Sequence, residues 1–223
     1  MKKFFYGAII QPVILSWRIY SAGLTGGIFM KSERQNLKDI RTLTLGAILT
    51  ALVIVLQMLG QFIRFGPFSI SLVLVPIVIG AAMCGPKIST WLGFVFGVAV
   101  LMTDAAAFLA ISVPGTVITV LLKGMLAGLA AGLICKVFEK KNRTLAVILA
   151  AIVCPLVNTG IFLLGCVVFF LDTVKEWGVG MGYDNVFAYL IFGMVGINFL
   201  VEMGMNIFLS PVVVRLLNIG KKI

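Results

Sequence analysis

Five side chains able to do chemistry stand alone inside long apolar runs: Lys123, Asn158, Asn198, Glu202 and Asn206. An ammonium surrounded by lipid costs roughly 3 kcal/mol on insertion scales, so Lys123 must face a cavity or a counter-charge. Two roles follow. Lys123 binds an anionic or carbonyl-bearing solute, or it pairs structurally with Glu202. Asn198, Glu202 and Asn206 are spaced four apart and therefore project from one face of a helix. With Asn158 they can line a polar pocket, or they can hydrogen-bond between helices. The pocket is favoured for Asn158 and Asn198, and interhelical bonding for Asn206.

Several chemistries are excluded at once. Histidine is absent from the chain, which removes His-based triads and His metal ligands. No metal site is expected, and no cofactor. Cys84, Cys135, Cys154 and Cys166 are scattered through apolar segments without a CxxC pair, and read as small buried hydrophobes. The stretch Gly80 to Lys87 imitates a phosphate loop, but Pro86 separates Gly85 from Lys87. A phosphate loop needs Lys directly after Gly and a strand before it. The chain therefore has no nucleotide site of its own.

The elements that must position these residues are membrane helices. Of 223 residues, 61% are apolar and only 12% charged, whereas a soluble domain is nearer half apolar and a quarter charged. That excess must be covered by lipid. At about 20 residues per crossing, the length suits one domain of about six spans. The apolar runs place them near 42–59, 69–84, 88–103, 114–137, 145–171 and 186–216. The second and third are short and read as tilted, kinked or partly re-entrant. Pro114 falls where a first helical turn accepts it. The fold class is all-α, an integral membrane bundle of six transmembrane helices.

Charge orients the bundle. Lys31, Arg34, Lys38, Arg41, Lys87, Lys136, Lys140, Lys141, Arg143, Arg215, Lys221 and Lys222 fall in every second gap or at the ends. The other gaps hold only Arg64 and Lys175, beside Asp104, Asp172, Glu176 and Asp184. Basic residues accumulate on the cytoplasmic side, so both termini are expected there. The net charge of +10 does not point to nucleic acid, because the basic residues cap apolar spans instead of forming a stripe. They read as topology signals and anionic-lipid contacts. Residues 1–29 differ: Pro12 and Arg18 interrupt an apolar stretch. The segment reads as an N-terminal extension (a surface helix, a signal-like element or spurious upstream sequence), leaving 30–223 as the membrane domain.

Small and aromatic residues mark further surfaces. Gly124, Gly128 and Gly132 form a stripe four residues apart, which suits a tight helix–helix seam within the bundle or with a partner chain. Ala47 and Ala51 form a weaker pair of the same kind. The loop Gln61 to Phe68 mixes aromatics with Arg64, and the loop Asp172 to Asp184 carries Trp177 among glycines. Aromatics at an interface are usually belt residues, yet Trp177 in this setting also suits a movable lid stacking on a flat ligand. Arg64, Phe65 and Trp177 thus join Lys123, Asn158, Asn198 and Glu202 as candidate substrate-binding residues.

The basic lead-in, the Ala47/Ala51 pair and the stretch from Phe65-Gly-Pro-Phe-Ser-Ile-Ser-Leu to Pro76-Ile-Val-Ile-Gly80 carry a resemblance. Over about residues 31–223 the chain resembles a substrate-binding S component of an energy-coupling factor (ECF) transporter. The resemblance implies an importer subunit in the bacterial cytoplasmic membrane that takes a vitamin or related micronutrient near the outer face. It implies outer loops that cap the ligand. It implies docking on a transmembrane coupling protein driven by two ATPases, with Ala47 and Ala51 at the docking face. Some stretches are similar to pantothenate-type members. Lys123 suits a carboxylate and the two asparagines suit hydroxyls or amides, so pantothenate is the expected solute. Riboflavin or folate would lean instead on Trp177, Phe65 and Phe68. A stand-alone permease or channel is the alternative. An enzyme is not expected, since the apolar runs offer no clustered acid, base or nucleophile.

Overall fold

The computed structural model describes residues 39–62, 64–65, 68–69 and 72–219. Residues 1–29 lie outside the described residues. Two compact units are distinguished, Met1–Thr44 and Leu45–Ile223. The first is described only at the start of helix α1 (Asp39–Gly60), where Thr44 Oγ1 donates to the Ile40 carbonyl one turn back.

After α1 comes a two-residue antiparallel ribbon, β1 (Arg64–Phe65) and β2 (Phe68–Ser69), pairing Arg64 with Ser69 and Phe65 with Phe68. Helices α2 (Leu74–Cys84), α3 (Pro86–Thr103), α4 (Ala106–Leu109), α5 (Val113–Phe138), α6 (Arg143–Phe169) and α7 (Leu171–Gly180) follow. The last segment opens with α8 (Val186–Ala188), widens into a π turn over Tyr189–Val195, and continues as α9 (Gly196–Ile219).

Local chemistry sets these boundaries. Ser112 Oγ accepts from the Gly115 N–H and caps α5, whose first turn takes Pro114. Asn142 Oδ1 accepts from the Thr144 and Leu145 N–H groups and caps α6. These caps satisfy donors that a helix start leaves open. Gly85 breaks α2 from α3 at φ 83°, a backbone conformation that disfavours a Cβ.

Among the described residues four helices, α1, α3, α5 and α6, are long and apolar enough to cross a bilayer. A fifth crossing follows if Val186–Val195 and Asn198–Arg215, bent by 46°, are taken together. The expected second span is the clearest departure. Its helix holds only 11 residues, about 16 Å at ~1.5 Å per residue, against a hydrocarbon core of about 30 Å. Ser69 sits in the ribbon and Val73 in the turn before the helix. An apolar run reads the same whether it is all helix or part turn, so its length overstated the helix.

Packing follows the rules of lipid, where close backbone approach replaces the hydrophobic drive between helices. The glycine stripe of α5 lies within the bundle, against α3. A Cβ at Gly124 would strike the Gly93 carbonyl, one at Gly128 the Ser89 carbonyl, and one at Gly132 Pro86. Two apolar clusters result. The larger joins Leu49 and Val53, Leu74 and Ile77, Phe96, Ala127 and Ala131, and Ala150 and Ala151. The smaller gathers Phe108, Cys166, Phe170, Val174, Tyr189 and Met194. Outward-facing Met58, Leu129, Leu164, Val168 and Phe208 are exposed, as a lipid-covered surface requires.

Candidate substrate-binding site

A cavity opens where the two apolar clusters meet. Its volume is about 90 Å³, well above the ~10–15 Å³ that a single water needs. Helix α1 contributes Gln57, and α3 contributes Phe96 and Val100 with Asp104 at its C-cap. Thr116, Thr119 and Lys123 come from one face of α5, and Asn158, Thr159 and Phe162 from α6. Asn198, Phe199 and Glu202 come from α9, just past the π turn that supplies Met194 and Val195. A π turn displaces the helix register locally and recurs at functional positions.

Lys123 reaches this cavity from the interior of α5, about 15 Å from Val113 at ~1.5 Å per residue. Its Nζ lies 5.1 Å from the Phe162 ring centre and 5.6 Å from that of Phe96. Aromatic faces attract a cation, more so where water is scarce. The carboxylates of Glu202 and Asp104 also act electrostatically on the ammonium, Glu202 the more strongly.

Three polar atoms in the wall are left over. Asn158 Oδ1, Asn198 Oδ1 and Thr119 Oγ1 are buried without a hydrogen-bond partner among the described residues. Asn158 is 6% exposed, Asn198 9% and Thr119 4%. Leaving such an atom unsatisfied costs roughly 1–3 kcal/mol. By contrast Thr116 Oγ1 is already committed, donating to the Ser112 carbonyl at 2.7 Å.

The sequence candidates separate into three groups. Lys123, Asn158, Asn198 and Glu202 share the cavity wall. Trp177 is absent from the lining and stands behind it, edge-on to Phe108 with ring centres 5.5 Å apart. Arg64 and Phe65 are described only as the backbone of β1, and their side chains lie outside the described residues. Asn206 departs from the interhelical role expected of it. Its Nδ2 donates to the Glu202 carbonyl one turn back on its own helix, at 3.0 Å. A carbonyl on the preceding turn is within reach of a short amide whatever the neighbouring helices offer. Ala47 and Ala51 are both exposed on α1, on the face opposite buried Leu49 and Val53.

Gln57, Asp104, Thr119 and the phenylalanines were not anticipated in the wall. Asp104 stands in the sequence as a loop charge at the end of an apolar run. Gln57 was visible as a lone amide in an apolar run, the same signal that marked Asn158. Its partners, Thr103 and Asp104, come from a different helix.

Comparisons with known proteins agree with this architecture. A search of curated proteins and a search of solved structures each return no match. The family model described as ECF transporter, substrate-specific component, matches residues 41–214. That match covers the apolar helices and every residue of the cavity wall. The chain therefore belongs to the substrate-specific (S) components of ECF transporters: it is a multi-pass membrane protein that binds a small-molecule substrate as a transport subunit, alongside a transmembrane coupling protein and ATPases.

Proposed function

We propose that the chain captures a vitamin or related micronutrient from outside the cell and delivers it inward through its coupling protein and two ATPase subunits. Pantothenate is the solute that best meets the chemistry of the wall. Its carboxylate answers the Lys123 ammonium, and its hydroxyls and amide answer Asn158, Asn198 and Thr119. The observation that carries this reading is the convergence of Lys123, Asn158 and Asn198 on one cavity.

The proposed setting is the bacterial cytoplasmic membrane, crossed six times with both termini inside and α2 as a short crossing. Support comes from the basic residues that flank alternate connections, which by the charge rule face the cytoplasm. In this orientation the end of the bundle holding Asp104 and Trp177 faces outward, and Arg64, Phe65 and Trp177 cap the solute. We assign residues 30–223 to the membrane domain and 1–29 to an extension that binding does not need. Deleting 1–29 should leave solute affinity unchanged.

Two measurements test the reading. Mass spectrometry of small molecules released from the purified protein should find pantothenate, and retention of a different vitamin would replace it. In liposomes, uptake should require the coupling protein and the ATPases. Uptake by the chain alone would instead establish a stand-alone permease.

A further inference from the structure

The charged groups of the cavity are weighted toward acids. Its wall sets one ammonium, Lys123, against two carboxylates, Asp104 and Glu202. A solute that brought only a carboxylate would add to the side already in excess. The solute must therefore also carry donors.

Asp104 sits where such a donor would be read. It caps the C-terminus of α3, whereas Lys123 neighbours Gly124, which packs against Gly93, roughly 16 Å back along α3 from Asp104 at ~1.5 Å per residue. The two thus occupy different levels of the same cavity. The carboxylate is also held in place. Gln57, 2% exposed on α1, donates through Nε2 to Asp104 Oδ2 at 2.8 Å and to Thr103 Oγ1 at 3.1 Å. Thr103 Oγ1 in turn donates to the Ala99 carbonyl at 2.8 Å, which leaves its lone pair directed at Gln57. A buried amide with both contacts fixed orients a carboxylate in the way that a supporting shell orients a binding group.

We propose that Asp104, held by Gln57, is a specificity-determining residue that recognises a hydroxyl, amide N–H or ammonium on the end of the solute remote from Lys123. This rests on the reading of the cavity as the solute site. The substrate class is accordingly bifunctional: an acidic or carbonyl end joined by a short linker to an end rich in donors.

Isothermal titration of the full chain in detergent tests the assignment, with pantothenate and its analogue lacking both hydroxyls as probes. Asp104→Asn should weaken pantothenate binding about fivefold or more, since a charged acceptor holds a donor roughly twice as strongly as a neutral one. The same change should leave the dideoxy analogue within about twofold. Gln57→Leu should shift pantothenate in the same direction by releasing the carboxylate. Equal losses for both probes would assign Asp104 a structural role and overturn the proposal, as would no loss for either. If Lys123→Ala weakens pantothenate but Asp104→Asn does not, only the Asp104 assignment fails. If Lys123→Ala leaves pantothenate affinity unchanged, the solute-site reading fails and the proposal with it; if wild-type protein does not bind pantothenate, the pantothenate reading fails, and with it the proposal in this form.

Discussion

Lys123 holds its ammonium nitrogen 5.1 Å from the centre of the Phe162 ring, so a cation and an aromatic face share one wall. The contact joins α5 to α6 at the depth where Asn158 also projects into the cavity. It places the charge toward the space a solute would fill, with Glu202 as the carboxylate that acts on it most strongly.

Lys123→Ala should reduce affinity for an anionic solute about tenfold or more, because a hydrogen bond to a charged group contributes roughly 1.5–3 kcal/mol. The single change also strips Glu202 of a counter-charge, and breaking a buried pair is itself destabilising. The double variant Lys123→Met with Glu202→Gln separates the two roles. If Lys123 serves the solute, the double variant folds and still binds weakly. Recovery of wild-type affinity in the double variant, read by calorimetry, would return Lys123 to a purely structural pairing.

Much of this site is legible in the sequence, and for a physical reason. A polar side chain in an apolar run has few places to go, so Lys123, Asn158, Asn198 and Glu202 were already constrained to face inward. Helix α5 was read almost to its ends because Pro114 and the polar loop after Phe138 mark them. What stayed hidden depends on partners distant in the chain. Gln57 gains meaning only when α3 brings Asp104 beside it. The α5 glycine stripe announced a seam but could not name Gly93 across it. The extent of α2 was lost for a different reason: ribbon, turn and helix share one hydrophobic composition from Ser69 to Cys84.

The seam between α3 and α5 makes a stability prediction. At Gly124 an added Cβ would meet the Gly93 carbonyl, and at Gly93 it would meet the Gly124 carbonyl. Neither obstacle is a flexible side-chain end, so the helices must move apart. Gly124→Ala should destabilise the protein by about 1–3 kcal/mol, the usual range for overpacking. Gly204→Ala is the matched control, since nothing stands within 4 Å of a Cβ there. It should be neutral or slightly stabilising, as Ala is the better helix former by ~1 kcal/mol. Thermal unfolding in detergent reads both, and equal midpoints for the two variants would contradict the seam.

Helix α1 presents two faces with different duties. Leu49, Val53 and Gln57 are buried toward the bundle, whereas Ala47, Ala51 and Val55 form an exposed stripe one helical turn apart. Small side chains on an exposed stripe allow another helix to approach closely. Ala47→Trp or Ala51→Trp fills that stripe without entering the cavity wall, which α1 reaches only through Gln57. Each change should therefore leave solute affinity in detergent within about twofold of wild type, while bulk at a close helix contact blocks assembly. In liposomes holding the coupling protein and ATPases, uptake should fall about tenfold or more. Uptake that survives both substitutions would move the docking surface to another face of the bundle. Loss of solute affinity together with uptake would mean that α1 had been displaced from Asp104, a different failure that calorimetry on the isolated chain tells apart.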